Sequence, residues 1–135
     1  MRRAFALAVT ATFALAGAAH AETWVKFATM ENGADVSYDK DYVYKDRQSG
    51  RFVVMQALSK GALGPSAPGK ADSVGSLVAI DCNNKNLITM ASYRPNVPLD
   101  VKATWRSDTP KKASGPDNEA LVKAVCDAAA SFPVK

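Results

Sequence analysis

The sequence predicts an α+β fold in which an antiparallel β-sheet of about six strands carries one C-terminal α-helix, tied to it by a disulfide. Three observations support this prediction. Between residues 24 and 106, short runs of alternating apolar and polar residues are separated by turn-forming residues, as in antiparallel sheets. Toward the C-terminus the apolar residues change to a helical spacing. One cysteine, Cys82, ends a predicted strand, and the other, Cys126, lies in the predicted helix.

Turn signals divide the first two thirds of the chain into strand candidates. Asn32-Gly33 predicts a two-residue type I′ hairpin turn, and Gln48–Gly50 and Asn83–Asn86 predict further turns. Residues 60–74 are rich in Gly, Pro and Lys and predict a long exposed loop. The strand candidates are Trp24–Ala28, Val36–Asp39, Tyr42–Lys45, Arg51–Ser59, Leu77–Cys82, Leu87–Tyr93 and Val101–Arg106.

The last predicted element is a helix. Residues 108–116 are polar, contain two prolines and predict a linker, after which Asp117 is the predicted N-cap. The helix is expected to end near Ser131, before Pro133. Its apolar stripe consists of Leu121, Val122, Val125, Cys126 and Ala129.

The two cysteines place the helix relative to the sheet. In an oxidising compartment they allow one intramolecular pairing, Cys82 with Cys126, and a pair of buried free thiols is the alternative. If they are bonded, the helix packs on the sheet face that carries Val78 and Ile80. The other face is then covered, paired with a second copy, or left partly exposed.

The N-terminus reads as a secretory signal peptide. Arg2 and Arg3 precede an apolar stretch at residues 4–17, and an A-H-A motif ends at Ala21. We therefore expect a signal peptide over residues 1–21, cleaved after Ala21. The remaining chain, residues 22–135, is predicted to be a single domain in the periplasm or secreted from the cell.

Composition and charge exclude several functions for the cleaved chain. Cleavage of the predicted signal peptide removes His20, which is the one histidine of the sequence. Ser-His-Asp catalysis, Cys-His catalysis and the usual Cys/His zinc sites are therefore excluded for the remaining chain. Loss of Arg2 and Arg3 leaves 15 basic residues (17 − 2) against 13 acidic ones, a net charge of +2, which gives little attraction to nucleic acid. We expect no enzyme activity, no cofactor, no bound metal, no nucleic-acid partner and no membrane span.

The order of these features resembles the surface-adhesin protein E family of small exported bacterial proteins. The resemblance is carried by Trp24, Asp39–Tyr44, Arg51–Leu58, Ile80-Asp81-Cys82, Tyr93, Trp105 and a C-terminal helix that contains Val125-Cys126. It implies an antiparallel sheet with a disulfide-tied helix, and binding to extracellular-matrix and plasma proteins; haem binding has also been attributed to the group. This chain lacks the lipid-anchoring cysteine of such adhesins, which favours a periplasmic or released protein.

Two groups of residues are candidates for partner binding. Tyr42 and Tyr44 share one face of a predicted strand and form an exposed aromatic surface if the helix covers the opposite face. Lys102 and Arg106, flanking Trp105 and followed by Lys111 and Lys112, form either a polyanion site or a solvated basic face. Trp24 and Trp105 are core or edge residues, or ligand stackers.

The acidic residues between 35 and 46 allow three interpretations. Charges at strand edges that discourage aggregation are the favoured one, and a calcium site and paired catalytic carboxylates are the others. The members of this group are Asp35, Asp39, Asp41 and Asp46.

The function predicted from the sequence is an exported, non-enzymatic binding module that meets a protein or extracellular-matrix partner through its sheet face. The alternative is a periplasmic small-ligand or haem-binding protein. The oligomeric state stays open.

Overall fold

The computed structural model describes residues 23–60, 74–94 and 97–135. The predicted signal peptide and residues 61–73 of the predicted loop lie outside this part of the chain. In the described residues, one antiparallel sheet of seven strands carries one α-helix, which confirms the predicted fold class. The strands are β1 (Trp24–Thr29), β2 (Asp35–Asp39), β3 (Tyr44–Lys45), β4 (Phe52–Ser59), β5 (Val74–Asp81), β6 (Asn86–Tyr93) and β7 (Lys111–Lys112). The helix α1 is Pro116–Asp127, and 3₁₀-helices occur at Trp105–Ser107 and Ala129–Ser131.

The strands follow one another across the sheet in the order β1-β2-β4-β5-β6-β7, and β3 also pairs with β4. The long strand β4 pairs with β3 through its first residues and with β2 through its last ones. Its register with β5 runs from Phe52 opposite Ile80 to Leu58 opposite Val74. The chain's last residues lie beside β3, where Val134 forms a parallel bridge with Lys45.

The helix packs on the sheet face that the sequence predicts. Val78 and Ile80 of β5 belong to the same buried cluster as Leu121, Val122 and Val125 of α1. This burial follows from two periodicities, because every second strand residue and every third or fourth helix residue point to the shared core. The predicted disulfide between Cys82 and Cys126 is present, with Cα atoms 5.7 Å apart, and links the end of β5 to α1.

The second face of the sheet is buried without an α-helix. Its core includes Met55, Leu77 and Met90 and is covered by Trp105 from the segment that follows β6. The rings of Trp24 in β1 and Tyr93 in β6 have centroids 5.4 Å apart, although three strands lie between β1 and β6. In a flat sheet these two strands would lie about 19 Å apart. The sheet therefore curves toward the second face and brings its two sides together there.

The predicted strand Val101–Arg106 is wrong. Its alternating pattern of Val101, Ala103 and Trp105 suggested a strand, but Val101 and Ala103 are exposed and only Trp105 is buried. The segment instead crosses the second face, where the Lys102 N–H donates to the Met90 carbonyl at 3.1 Å. It ends in the 3₁₀-helix that carries Trp105. Burial of a single large aromatic ring, and not a half-buried strand, accounts for this pattern.

The predicted linker at residues 108–116 contains the seventh strand. Lys111 and Lys112 form β7, which pairs with Leu87 and Asn86 of β6. Both lysine side chains are exposed, so the alternation that reveals a half-buried strand is missing from this segment.

The helix begins and ends slightly earlier than predicted. Gly115 is the N-cap and Pro116 the first helical residue, so the prediction of Asp117 as N-cap is wrong and Asp117 lies in the first turn. Proline is favoured at this first position because its missing N–H would have no helical partner. The α-helix ends at Asp127, and the 3₁₀-helix Ala129–Ser131 continues the chain to the predicted end.

The β1–β2 hairpin turns at the predicted place but in a different conformation. A type I′ turn needs positive φ at both central residues, and here Gly33 has φ 81° whereas Asn32 is not among the residues with positive φ. The Gly33 N–H donates to the Met30 carbonyl at 2.9 Å, and the Met30 N–H donates to the Ala34 carbonyl at 2.8 Å. These bonds match a three-residue hairpin loop with glycine in the left-handed position, so the type I′ prediction is wrong.

Candidate functional site

The structure brings four of the five predicted partner-binding residues together on the second face of the sheet. Tyr42 and Tyr44 pack against the same buried cluster as Trp105. Arg106 follows Trp105 and lies close enough to Tyr44 to influence the pKa of its phenol. The backbone of Lys102 also crosses this face, but its ammonium forms a salt bridge of 2.8 Å with Asp108.

We call this site the tyrosine surface and define it by Tyr42, Tyr44, Arg106 and Lys135. The two tyrosine rings are tilted against each other with centroids 6.5 Å apart, and both are half-buried. The Lys135 ammonium lies 5.4 Å from the centroid of the Tyr44 ring, which is within cation–π range. Each tyrosine therefore has one side fixed by the protein and part of its ring open to a partner.

The backbone under the tyrosine surface is held at several points. The Tyr42 N–H donates to the Asp39 carbonyl at 3.1 Å, and Tyr44 pairs with Val53 of β4. On the outer side, the Lys45 N–H donates to the Pro133 carbonyl at 2.8 Å. Tyr44 consequently sits on a strand that is bonded on both of its sides, and Tyr42 lies in the turn that precedes this strand, so the predicted strand Tyr42–Lys45 is shorter than expected.

Arg106 is fixed by a bidentate ion pair. Its Nε and Nη2 donate to the two carboxylate oxygens of Asp46 at 2.9 and 2.7 Å. The Asp46 side chain is 6% exposed, while that of Arg106 is 37% exposed. The guanidinium also lies over the Trp105 ring, 4.6 Å from its centroid. Arg106 is thus held between a carboxylate and an aromatic ring, with part of its surface facing solvent.

The charge of Asp46 is secured by four hydrogen bonds. Besides Arg106, the Ser49 N–H and hydroxyl donate to its Oδ2 at 2.9 and 2.6 Å. The bonds from Arg106 are the main cause that holds the pKa of Asp46 far below its usual range, against the opposing effect of burial. The pair therefore stays ionised throughout the neutral and mildly acidic pH range.

Both tyrosines are neutral hydrogen-bonding groups at physiological pH. Burial raises the pKa of Tyr42, and the neighbouring Tyr44 and Asp39 raise it further. Burial also raises the pKa of Tyr44, as does Asp46, while Arg106 acts in the opposite direction. Each phenol keeps its proton and can donate as well as accept a hydrogen bond to a partner.

Trp105 has a structural place in this site. It is 4% exposed, so its ring supports Arg106 from below and does not itself form part of the surface. The four residues of the predicted basic run do not form one basic surface. Lys102 and Arg106 are each paired with an aspartate, and Lys111 and Lys112 lie on β7 at the edge of the sheet.

The interpretation of the acidic group as strand-edge charges is wrong for two of its members. Asp46 is buried in the ion pair described above, and Asp39 is 2% exposed and accepts bonds from the Thr23 and Asp41 N–H groups at 3.1 and 3.0 Å. Both carboxylates organise turns. Asp35, in contrast, lies in β2 and forms a partly exposed salt bridge of 3.5 Å with Lys26 of the outer strand β1.

The sequence analysis missed Lys135 as a site residue and missed the pairing of Asp46 with Arg106. Asp46 lies 60 positions from Arg106 in the chain, and the sequence around either residue does not indicate that the two form an ion pair. Lys135 reaches Tyr44 because the tail pairs with residues 45–47, an arrangement that no periodicity indicates.

The described residues show no cluster of three or more His, Cys, Asp or Glu side chains that would hold a metal ion. In the same part of the chain, α1 is far shorter than a membrane-spanning helix, and no helix qualifies as one. Comparison of the chain with protein families, with curated proteins and with solved structures finds no match in any of the three.

Proposed function

We propose that this protein is an exported, non-enzymatic binding module that contacts a partner protein through the tyrosine surface. The observation that carries the proposal is the pair of half-buried tyrosine rings flanked by two cations, Lys135 over Tyr44 and Arg106 beside it. Tyrosine and arginine, together with tryptophan, are enriched among the residues that dominate the energy of protein interfaces.

The fixation of these side chains supports the proposal. A side chain that is already ordered loses little conformational entropy when a partner binds. The rings rest against the core of the second face, and Arg106 is held by Asp46 and Trp105. A partner that stacks on Tyr42 and Tyr44 and accepts hydrogen bonds from the exposed edge of Arg106 would therefore meet a preformed surface.

The resemblance to the surface-adhesin protein E family makes extracellular-matrix proteins the first partners to test. Purified matrix proteins are immobilised, and binding of the purified protein is measured by surface plasmon resonance. For the double variant Tyr42→Ala/Tyr44→Ala we expect binding weakened about a hundredfold, because interface tyrosines each contribute about 1–2 kcal/mol or more.

The matched control removes apolar surface outside the site. Val97→Ala/Val101→Ala truncates two exposed side chains and is expected to leave binding unchanged. Circular dichroism checks that both double variants are folded. Binding that survives loss of both tyrosines would contradict the proposed surface, and a failure of every matrix protein to bind would contradict the choice of partner.

A further inference from the structure

A groove on the helix side of the sheet, which none of the residues of the tyrosine surface lines, has the features of a small-molecule site. It has a volume of about 540 Å³ and lies between α1 and the part of the sheet formed by β7 and the β5–β6 turn. The disulfide links its two walls, since Cys82 follows β5 and Cys126 belongs to α1. Ligand sites commonly have volumes of about 300–1,000 Å³, so the groove is large enough for a small organic molecule.

The lining of the groove is apolar at its base. Val122 and Ala113 are 5% and 7% exposed and belong to the core beneath the helix. The partly buried residues Cys82 and Cys126 also line the groove, and their disulfide adds polarisable sulfur beside this base. A ligand here would bury hydrocarbon or aromatic groups against these four residues.

The rim of the groove carries three lysines. They are Lys85 in the β5–β6 turn, Lys112 in β7 and Lys123 in α1. Lys123 is paired with Asp127 at 2.7 Å, whereas Lys85 and Lys112 have no salt bridge to any residue in the described ranges. Glu119 of α1 is the other acidic lining residue, on the opposite wall. The charged residues of the sheet-side wall are therefore both lysines, Lys85 and Lys112, and they lie next to the apolar base.

The position of Lys85 is maintained against its backbone preference. Its φ is 52°, and it is the one non-glycine residue with positive φ in the part of the chain that the structure describes. This conformation is disfavoured for lysine and suits glycine or asparagine better. The turn is held by the Asp81 carboxylate, which accepts bonds from the Asn83 and Asn84 N–H groups at 2.9 and 3.2 Å. The Ala113 N–H also donates to the Lys85 carbonyl at 3.0 Å, which joins the turn to the end of β7.

We propose that this groove binds a small organic anion with an apolar body, of the medium-chain carboxylate class. The hydrocarbon part lies on the base of Val122, Ala113 and the disulfide, and the carboxylate faces Lys85 and Lys112. The linked walls and the hydrogen-bonded turn make the site preformed, which lowers the entropic cost of binding. The groove shares no residue with the tyrosine surface, so its binding can be tested separately from partner binding.

The test uses decanoate as the probe, titrated below its micelle-forming concentration into the purified, oxidised protein. Amide NMR shifts report where it binds. We expect saturable shifts at residues 85, 112–113 and 119–126, and no saturable shifts at residues 42–44. Added salt should weaken binding, because the contact with the lysines is electrostatic.

Two variants remove the cations, and a third serves as the matched control. Lys85→Gly relieves the positive φ while deleting the charge, so it should fold at least as stably as the parent yet bind decanoate about three- to fivefold more weakly. Lys112→Gln should weaken binding by a similar factor. Lys40→Gln removes an exposed lysine that does not line the groove and should leave the affinity unchanged.

The sign of the probe's charge provides the decisive comparison. Decyltrimethylammonium has the same chain with a cationic head and is expected to leave the groove amides unshifted. Equal shifts with both probes would overturn the proposal, as would unaltered decanoate binding by Lys85→Gly and Lys112→Gln or an absence of shifts at the groove. None of these outcomes involves the tyrosine surface, so they leave the proposed partner binding untouched.

Discussion

Removal of the Cys82–Cys126 disulfide is expected to lower the free energy of unfolding by about 4 kcal/mol. The bond closes a loop across a sequence separation of 44 residues. In the chain-entropy description, a loop of this length removes about 13 cal/mol/K from the unfolded ensemble, which corresponds to about 4 kcal/mol at 25 °C. Small domains have total stabilities of about 5–15 kcal/mol, so the double variant Cys82→Ala/Cys126→Ala should unfold much more readily.

Urea denaturation followed by circular dichroism measures this loss. The dependence of the unfolding free energy on urea should become steeper in the variant, because an unfolded chain without the cross-link exposes more surface. The parent protein treated with a reductant is the matched control, since it loses the same bond without a change of sequence. A loss below about 1 kcal/mol in both samples would refute the argument, because the loop would then not limit the unfolded chain as the entropy description requires.

Two further predictions concern Asp46 and Gly75. Because the pKa of Asp46 is lowered in the folded state, its ionised form contributes stability that is present above the unfolded pKa of about 3.9 and is lost as the pH falls toward the lower folded pKa. Asp46→Asn should therefore be less stable than the parent in urea at pH 7, with the difference narrowing below pH of about 4; a difference that stays constant down to pH of about 2 would contradict this linkage. For Gly75→Ala, the new Cβ would lie 1.9 Å from the Gln56 carbonyl oxygen and 2.7 Å from the Ala57 Cα, so we expect a loss above about 3 kcal/mol or no folded protein. Gly33→Ala is its control in thermal melts, because φ there is 81° but nothing lies within 4 Å, and a smaller loss for Gly75→Ala than for this control would show that β4 yields easily.

The parts of the fold that the sequence predicts are those in which one face of an element is buried. In β5 the alternation of Val78 and Ile80 with Leu77 and Ala79 reflects two cores on opposite sides of the sheet. The stripe of α1 reflects one core on one side of a helix. Since these patterns are imposed by burial, a reading of residue spacing recovers them.

The parts that the sequence does not predict depend on contacts between distant residues. Trp105 is buried in a segment whose neighbours are exposed, so its spacing imitates a strand. The pairing of Arg106 with Asp46 changes a member of a basic run into a fixed part of the candidate site. The sequence predicts Tyr42 and Tyr44 as exposed surface, whereas the core beneath them, which leaves each half-buried, comes from the later strands β4, β5 and β6.

The curvature of the sheet has a consequence for how folding can be observed. Trp24 and Tyr93 are 69 positions apart (93 − 24), and their rings meet only when all the strands between them are assembled. Contacts of such long range are made late and slowly, because a large loop must be closed before they gain any energy. The chain contains two tryptophans, and the other, Trp105, reports a different event, the docking of the crossing segment on the second face. Fluorescence of single-tryptophan variants thus separates closure of the sheet from covering of its core, without any added label.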